Sequence, residues 1–180
     1  MLDGRTFPNK KAQLLSNIRK RLERFKLKTL IGHAQSRAFR RLQAITGKVR
    51  PANVVVLFRT YLNGWPRARR MRAFNNLGRH LIAKCPFCKK GDDSLEHLAR
   101  CCIVHEIFVK FGAPLSDPSM LLDQFMCLDP DCNVERVLLK RVQALSCCYA
   151  IYNTLTHHPA QLPPLDPHVL LNAATANGLR

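Results

Sequence analysis

The sequence predicts an all-α fold: a small helical bundle carrying a Cys-Cys-His-Cys knuckle, an extended basic helix at its N-terminal end and a proline-rich C-terminal tail. Three observations lead there. Apolar residues recur at helical rather than alternating spacing along most of the 180 residues. Prolines stand where helices would open and glycines where they would close. Four metal-ligating side chains, Cys85, Cys88, His97 and Cys101, fall close together in one segment. The apolar share of 47% is that of a chain that folds around a core.

Pro8 opens the first predicted helix, with Leu14, Leu15, Ile18, Leu22 and Phe25 on one side and an end near Gly32. Its other side carries Arg19, Lys20, Arg21, Arg24, Lys26 and Lys28. A second helix is expected over Gln35 to Thr46, with Phe39, Leu42 and Ile45 inward, Arg37, Arg40 and Arg41 outward, and Gly47 as its cap. Pro51 then starts a segment from Ala52 to Asn63. Its Val54-Val55-Val56-Leu57-Phe58 run fits a buried helix or a strand, and the flanking Pro51 and Gly64 favour helix. Trp65 follows, beside Arg67, Arg69, Arg70 and Arg72. Those arginines suit phosphate binding, and the indole suits either base stacking or the core.

A short amphipathic segment containing Leu77, Leu81 and Ile82 leads into the knuckle. Beyond it, Ser94 is a good N-cap for a helix that carries His97 and Cys101 and runs on through Ile103, Ile107, Phe108 and Phe111 to Gly112. Asp117-Pro118 begins a short helix with Leu121, Leu122, Phe125 and Met126. The last long helix spans Val134 to Leu155, where Leu138, Val142, Leu145, Tyr149 and Tyr152 form a bundle-type stripe. Pro159, Pro163, Pro164 and Pro167 mark an extended tail, with one short helix expected from His168 to Ala176. The chain thus divides into a basic helical region (1–50), a helical region with the knuckle (51–112), C-terminal helices (113–156) and the tail (157–180).

Charge separates these regions. Lys and Arg number 29 against 12 Asp and Glu, a formal net charge of +17. Residues 1–50 carry 14 basic and 2 acidic side chains, residues 51–110 carry 11 and 4, and residues 111–180 carry 4 and 6. Such an excess repels itself unless a polyanion covers it, so nucleic acid is the expected partner of the N-terminal two thirds. The near-neutral remainder suits contact with other proteins. A basic amphipathic helix can also lie on a membrane or act in mitochondrial targeting, but Asp3 and Glu23 and the length of the basic region argue against a simple targeting sequence. No apolar run approaches the length that crosses a bilayer, and no membrane partner is expected.

The spacing Cys-x2-Cys-x8-His-x3-Cys suits one tetrahedral, structural zinc ion held by Cys85, Cys88, His97 and Cys101. On a continuous helix His97 and Cys101 would share a face, whereas Cys102 would stand about 140° away from His97. Cys127, Cys132, Cys147 and Cys148 follow no secreted disulfide pattern, and no secretory signal peptide is recognisable ahead of them. Buried free thiols are expected, in preference to a second zinc site built from Cys127, Cys132 and His157 or His158.

The run Cys-Pro-Phe-Cys, an acidic loop, Asp-Ser-Leu-Glu-His-Leu, then Cys and an apolar helix resembles the C-terminal zinc-binding domain of non-LTR retrotransposon reverse transcriptases. The resemblance covers residues 85–108 and, in general character, 35–112. It implies Cys85, Cys88, His97 and Cys101 as ligands. Two departures, Cys102 in place of the family's usual proline and a His-to-Cys interval often one residue longer in the family, leave Cys102 and His105 open as a fourth ligand. Polymerase chemistry needs spaced aspartates for magnesium, and the only Asp-Asp pair, Asp92-Asp93, lies in the knuckle loop. The nuclease found in some such elements needs spaced acidic residues and a lysine, and no Asp/Glu-x-Lys follows Pro130-Asp131. The sequence therefore predicts a noncatalytic, retrotransposon-derived RNA-binding protein of a large ribonucleoprotein, foremost a mitochondrial ribosome, with rRNA as partner. A nucleic-acid-binding module of a mobile element, nuclear or cytoplasmic, and a protein-interaction adaptor are the alternatives.

Overall fold

Pro8 and Pro51 do open helices, each supplying the preset φ of a first helical residue whose N–H would have no partner. A computed structural model describes residues 8–65 and 84–157, together with Asn172. Among these residues the chain forms α1 (Pro8–Leu22), α2 (Ile31–Ile45), α3 (Pro51–Tyr61), α4 (Leu95–Leu98), α5 (Cys102–Lys110), α6 (Leu121–Phe125), a 3-10 turn (Pro130–Asn133) and α7 (Glu135–His157). No strand occurs among them; one isolated bridge joins Lys84 to Asp92. The all-α expectation holds, and the Val54–Phe58 run is helical. The proline-rich tail, its expected short helix and the segment of Leu77, Leu81 and Ile82 lie outside the described residues.

α7 is the axis. It packs along α3 and α5 and meets α2 and the 3-10 turn, while α1 packs on α2 and α3. Leu138, Val142, Leu145, Tyr149 and Tyr152 are all buried, as their spacing predicts. On α1, Ile18 and Leu22 are buried. The first helix does not reach Gly32, however. It stops at Leu22, and Gly32 lies in the first turn of α2. The link between α1 and α2 is held from a distance: Asp123, 1% exposed, accepts from the Lys28 and Thr29 amides at 3.0 and 2.9 Å, giving two main-chain donors outside any helix an acceptor.

The inward face of α2 also differs from expectation. Ala34, Ala38, Arg41 and Ile45 are buried, whereas Phe39 and Leu42 are half-buried. Small side chains at 34 and 38 give α2 a face on which neighbouring backbone can approach. Phe39 instead takes the Lys11 ammonium 5.0 Å from its ring centroid, which ties α1 to α2.

Three helices end on a residue in the left-handed region, each with the reverse-turn amide bonds of a Schellman cap. Asn63 (φ 55°) closes α3 with Gly64 N donating to Arg59 O, Gly112 (φ 64°) closes α5 with Ala113 N donating to Phe108 O, and Cys127 (φ 56°) closes α6 with Leu128 N donating to Asp123 O. Gly112 caps a helix as predicted.

Replacing Asp123 with Ala should cost about 2–4 kcal/mol in urea unfolding, because two amides lose a charged acceptor together. Asp123→Asn, which retains one acceptor oxygen, should cost less.

Candidate metal centre

The site begins with two reversals of the chain. In the first, Lys89 N donates to Cys85 O at 2.9 Å and Lys89 takes φ 58°, so Cys85 and Cys88 lie on one tight turn. In the second, Cys85 N donates to Gly91 O at 2.6 Å and returns the strand-like end of the loop to its start. Ser94 then caps α4: its Oγ accepts from His97 N at 3.0 Å, the cap its sequence position predicts.

His97 and Cys101 do not share a continuous helix. α4 ends at Leu98, and Cys101, with φ −69° and ψ 125°, is the N-cap of α5. The expected single helix from Ser94 to Gly112 is therefore two helices meeting at a bend. The bend aims the Cys101 sulfur at the knuckle while the following amides begin a new helix. Cys101 therefore joins the group not by sharing a helix face with His97 but by convergence of the ligand atoms. Sγ of Cys85, Cys88 and Cys101 and a ring nitrogen of His97 all lie within 4.8 Å of one another, and the group could hold a metal ion. Cys88 Sγ is 3.1 Å from His97 Nε2 and Cys85 Sγ is 4.0 Å from Cys101 Sγ. Tetrahedral thiolates at 2.3 Å from an ion would stand about 3.8 Å apart, so little adjustment is needed. Cys102 is exposed, and His105 Nε2 lies 2.9 Å from Ala99 O, so neither joins the group.

Cys85 and Cys101 share one proton. Cys101 is lowered to about 5, first by its hydrogen bond with Cys85, with the Val104 and Ile103 amides at the start of α5 adding to the effect against burial. Cys85 moves the other way, upward, because it holds the shared proton and is buried. A cation that replaces this proton removes the conflict between the two sulfurs.

Two residues of the centre escaped the sequence reading. Gly91 admits the imidazole: a Cβ built there would stand 2.0 Å from His97 Cε1 and Nδ1. A glycine between the two ligand pairs was the available signal. Asp93, 6% exposed, accepts from Tyr152 Oη at 2.7 Å, and Phe87 lies 6.4 Å from the Tyr152 ring, so the knuckle is fastened to α7. No local pattern distinguishes Asp93 from the exposed Asp92 beside it.

The residues expected to meet nucleic acid are sorted by burial. Arg19, Lys20, Arg24, Lys26, Lys28 and Arg40 are exposed, with Arg19 paired to Glu23, and Arg21 is half-exposed. Three expectations are corrected. Trp65 is fully buried, with ring centroids of Phe125, Tyr149 and Tyr152 at 5.8, 5.2 and 5.3 Å and its Nε1 donating to Thr60 Oγ1 at 2.9 Å. Arg41 points inward, 8% exposed, and donates to Asn133 Oδ1 at 2.7 Å. Arg37, half-buried, donates to Leu128 O at 2.8 Å and to Thr29 Oγ1 at 3.3 Å. In each case a long side chain gained more by burying its stem or ring and pairing its polar end than by facing water. Arg67, Arg69, Arg70 and Arg72 lie outside the described residues.

A second site from Cys127, Cys132 and His157 does not form, and His158 lies outside the described residues. Cys132 lies in the 3-10 turn before α7 and His157 ends that helix, about 33 Å further along its axis. Cys127, Cys147 and Cys148 are buried thiols raised above the ordinary range, Cys147 to about 11 by burial. Among the described residues no helix is long and apolar enough to cross a membrane. No protein-family model, curated protein or solved structure matches the chain.

Replacing Cys88 with Ser should abolish stoichiometric metal in protein purified without added chelator, read by elemental mass spectrometry, and lower the melting temperature by several degrees. Gly91→Ala should also lower metal content although every ligand is retained, because the methyl group occupies the space of the His97 ring.

Proposed function

We propose that this is a noncatalytic RNA-binding structural protein, braced by one zinc ion and built into a large ribonucleoprotein. The observation that carries the reading is the pairing of a closed metal knuckle with a basic exposed surface: Lys20, Arg24, Lys26, Lys28 and Arg40 are exposed on and between α1 and α2. Three cysteines and one histidine form the donor set of a structural zinc site, which leaves no open position for a reacting water. Zinc there would hold the loop of Cys85–Gly91 to the start of α5 and so to α7, fixing the frame on which the cations are displayed.

Folded RNA is the partner that suits a rigid basic surface, because its recognition runs through backbone and shape. Lysines supply point charges and arginines bidentate forks to phosphates, displacing counterions as they bind. The resemblance of residues 85–108 to the zinc-binding domain of non-LTR retrotransposon reverse transcriptases supports descent from such an element. The mitochondrial ribosome is the assembly we favour, since small basic proteins with structural zinc are at home in ribosomes. The less charged residues 111–180 would then face neighbouring proteins.

Purified mitochondrial ribosomes, analysed by mass spectrometry beside cytosolic ribosomes, should contain the protein at near one copy per particle; absence from every ribonucleoprotein fraction overturns the assignment. Elemental analysis should find zinc near one per chain. Affinity for structured RNA should fall about 100-fold between 50 and 200 mM salt. The triple change Lys20→Glu, Arg24→Glu and Lys26→Glu should weaken binding at least tenfold and flatten that salt dependence while the melting temperature stays near the parent's.

A further inference from the structure

The loop that leads from α6 into α7 buries a pair of thiols for which neither the metal centre nor the basic surface has a use. Cys127 and Cys132 are both fully buried, and their side chains share a hydrogen bond. Each is placed by its own backbone feature. Cys127 takes φ 56° as the residue that closes α6, with Leu128 N donating to Asp123 O at 2.7 Å. Cys132 lies in the turn Pro130–Asn133, whose start is set by the fixed φ of Pro130.

The two sulfurs differ in what touches them. Arg141 Nη1 donates to Cys132 Sγ at 3.3 Å, and Asp129 holds the same guanidinium in place. A guanidinium against a sulfur supports the negative charge that the sulfur carries when it attacks. Near the pair stand buried polar atoms without hydrogen-bond partners: Asp129 Oδ2, Arg141 Nε and Tyr61 Oη, the last within electrostatic reach of both sulfurs. Unmet donors and acceptors of this kind in an interior suit a small polar molecule. Hydrogen peroxide is small and uncharged, and it both donates and accepts. Its way in is short, because Pro130, Asp131 and Asn133 on either side of Cys132 are exposed. Opening one 3-10 turn uncovers the sulfur. Cys147 and Cys148, by contrast, lie within the continuous helix α7, along which the bundle is packed.

We propose that Cys127 and Cys132 are a modification site that hydrogen peroxide converts to a disulfide, with Cys132 as the attacking sulfur and Cys127 as the resolving one. Cys132, as its thiolate, attacks one peroxide oxygen. The S–O bond forms, the O–O bond breaks, and hydroxide leaves and takes up the proton that Cys132 gave, while the sulfur is oxidised to a sulfenic acid. The Cys127 sulfur then attacks the sulfenic sulfur: the S–S bond forms, the S–O bond breaks, and the departing hydroxide leaves with the Cys127 proton as a second water. Two thiols give up two electrons and two protons, and one peroxide becomes two waters. A thiol reductant reverses the change. The disulfide would close residues 128–131 into a covalent loop. Leu128 O at one end of it accepts from Arg37, and Asn133 just beyond the other accepts from Arg41, so the link fastens the seat on which α2 rests. The inference stands apart from the RNA-binding reading.

Trypsin releases residues 111–136 as one peptide that contains these two cysteines and no other. The test treats the full chain with an excess of hydrogen peroxide, unfolds it and labels it with N-ethylmaleimide before digestion and mass spectrometry. The peptide should appear unlabelled and lighter by two hydrogen atoms, and should take two labels when dithiothreitol precedes the labelling. This form should accumulate about tenfold faster than oxidation of the peptide carrying Cys147 and Cys148. A peptide that still takes two labels once Cys147 and Cys148 are oxidised, or Cys127 or Cys132 joined to any other cysteine, overturns the proposal. The order of attack is read with dimedone, which traps sulfenic acids: Cys127→Ser should leave an adduct on Cys132, whereas Cys132→Ser should give none on Cys127. The reverse pattern overturns the assignment of Cys132 as the attacking sulfur. If either variant fails to fold, by circular dichroism, the labelling of the parent chain decides.

Discussion

Burial of the Trp65 indole at the end of α3 is the constraint from which the arrangement of the other elements follows. A ring of that size removes more apolar surface from water than any other side chain here, and its Nε1 needs a partner once inside. Thr60 Oγ1 provides one, and itself donates to Val56 O at 2.9 Å within the same helix. Phe125 of α6 and Tyr149 and Tyr152 of α7 then pack edge-on or tilted around the ring. Phe108 of α5 joins through Phe125, at 5.8 Å. Four helices meet at one cluster, and Tyr152 carries the cluster's influence outward to Asp93 and the knuckle. Truncating the indole would leave a cavity touching all of them, a loss of about 3–5 kcal/mol by the usual cost of a large-to-small core change.

A chain with so many cations must keep some of them from adding to its own repulsion, and it does so by using them internally. Arg141, 2% exposed, is paired to Asp129, 1% exposed, and also donates to Cys132 Sγ at 3.3 Å. Arg41 and Arg37 reach Asn133 and Leu128 in the same neighbourhood. These contacts sew α2 to the 3-10 turn and the start of α7. A buried ion pair of this kind is a poor source of net stability, because desolvation offsets much of the attraction, but losing one partner costs about 3–5 kcal/mol. Its effect is to fix register. Tyr61, raised well above its ordinary range by burial, sits in the same polar pocket.

The metal centre differs in kind from this polar pocket. Its four ligands come from a turn, a one-turn helix and a helix N-cap, elements too short to hold their positions by packing alone. A bound cation would join them directly, and the Cys85–Cys101 sulfur pair, which without it divides one proton, is the part of the molecule most sensitive to that cation. The knuckle therefore depends on the bundle through Tyr152 and on the ion through its sulfurs.

Local rules made much of this legible. Period and punctuation located the start of α1 and both ends of α3 and α7 to within two residues, because proline at a helix start and an apolar stripe along α7 act over one or two turns. Ligand spacing selected Cys85, Cys88, His97 and Cys101, since a tight turn and a short reach leave few other combinations. Tertiary structure decided the rest. Asp123 lies far along the chain from Lys28 and Thr29 yet anchors the link between α1 and α2, and Cys101 leaves the helical path because its sulfur is needed at the knuckle. Arg41, Arg37 and Trp65 look like surface binders in sequence but turn inward because partners distant in sequence await them there. Residue type records what a side chain is able to do; whether an arginine faces water or a buried acceptor depends on which elements fold against it, and that is set by packing across the whole chain.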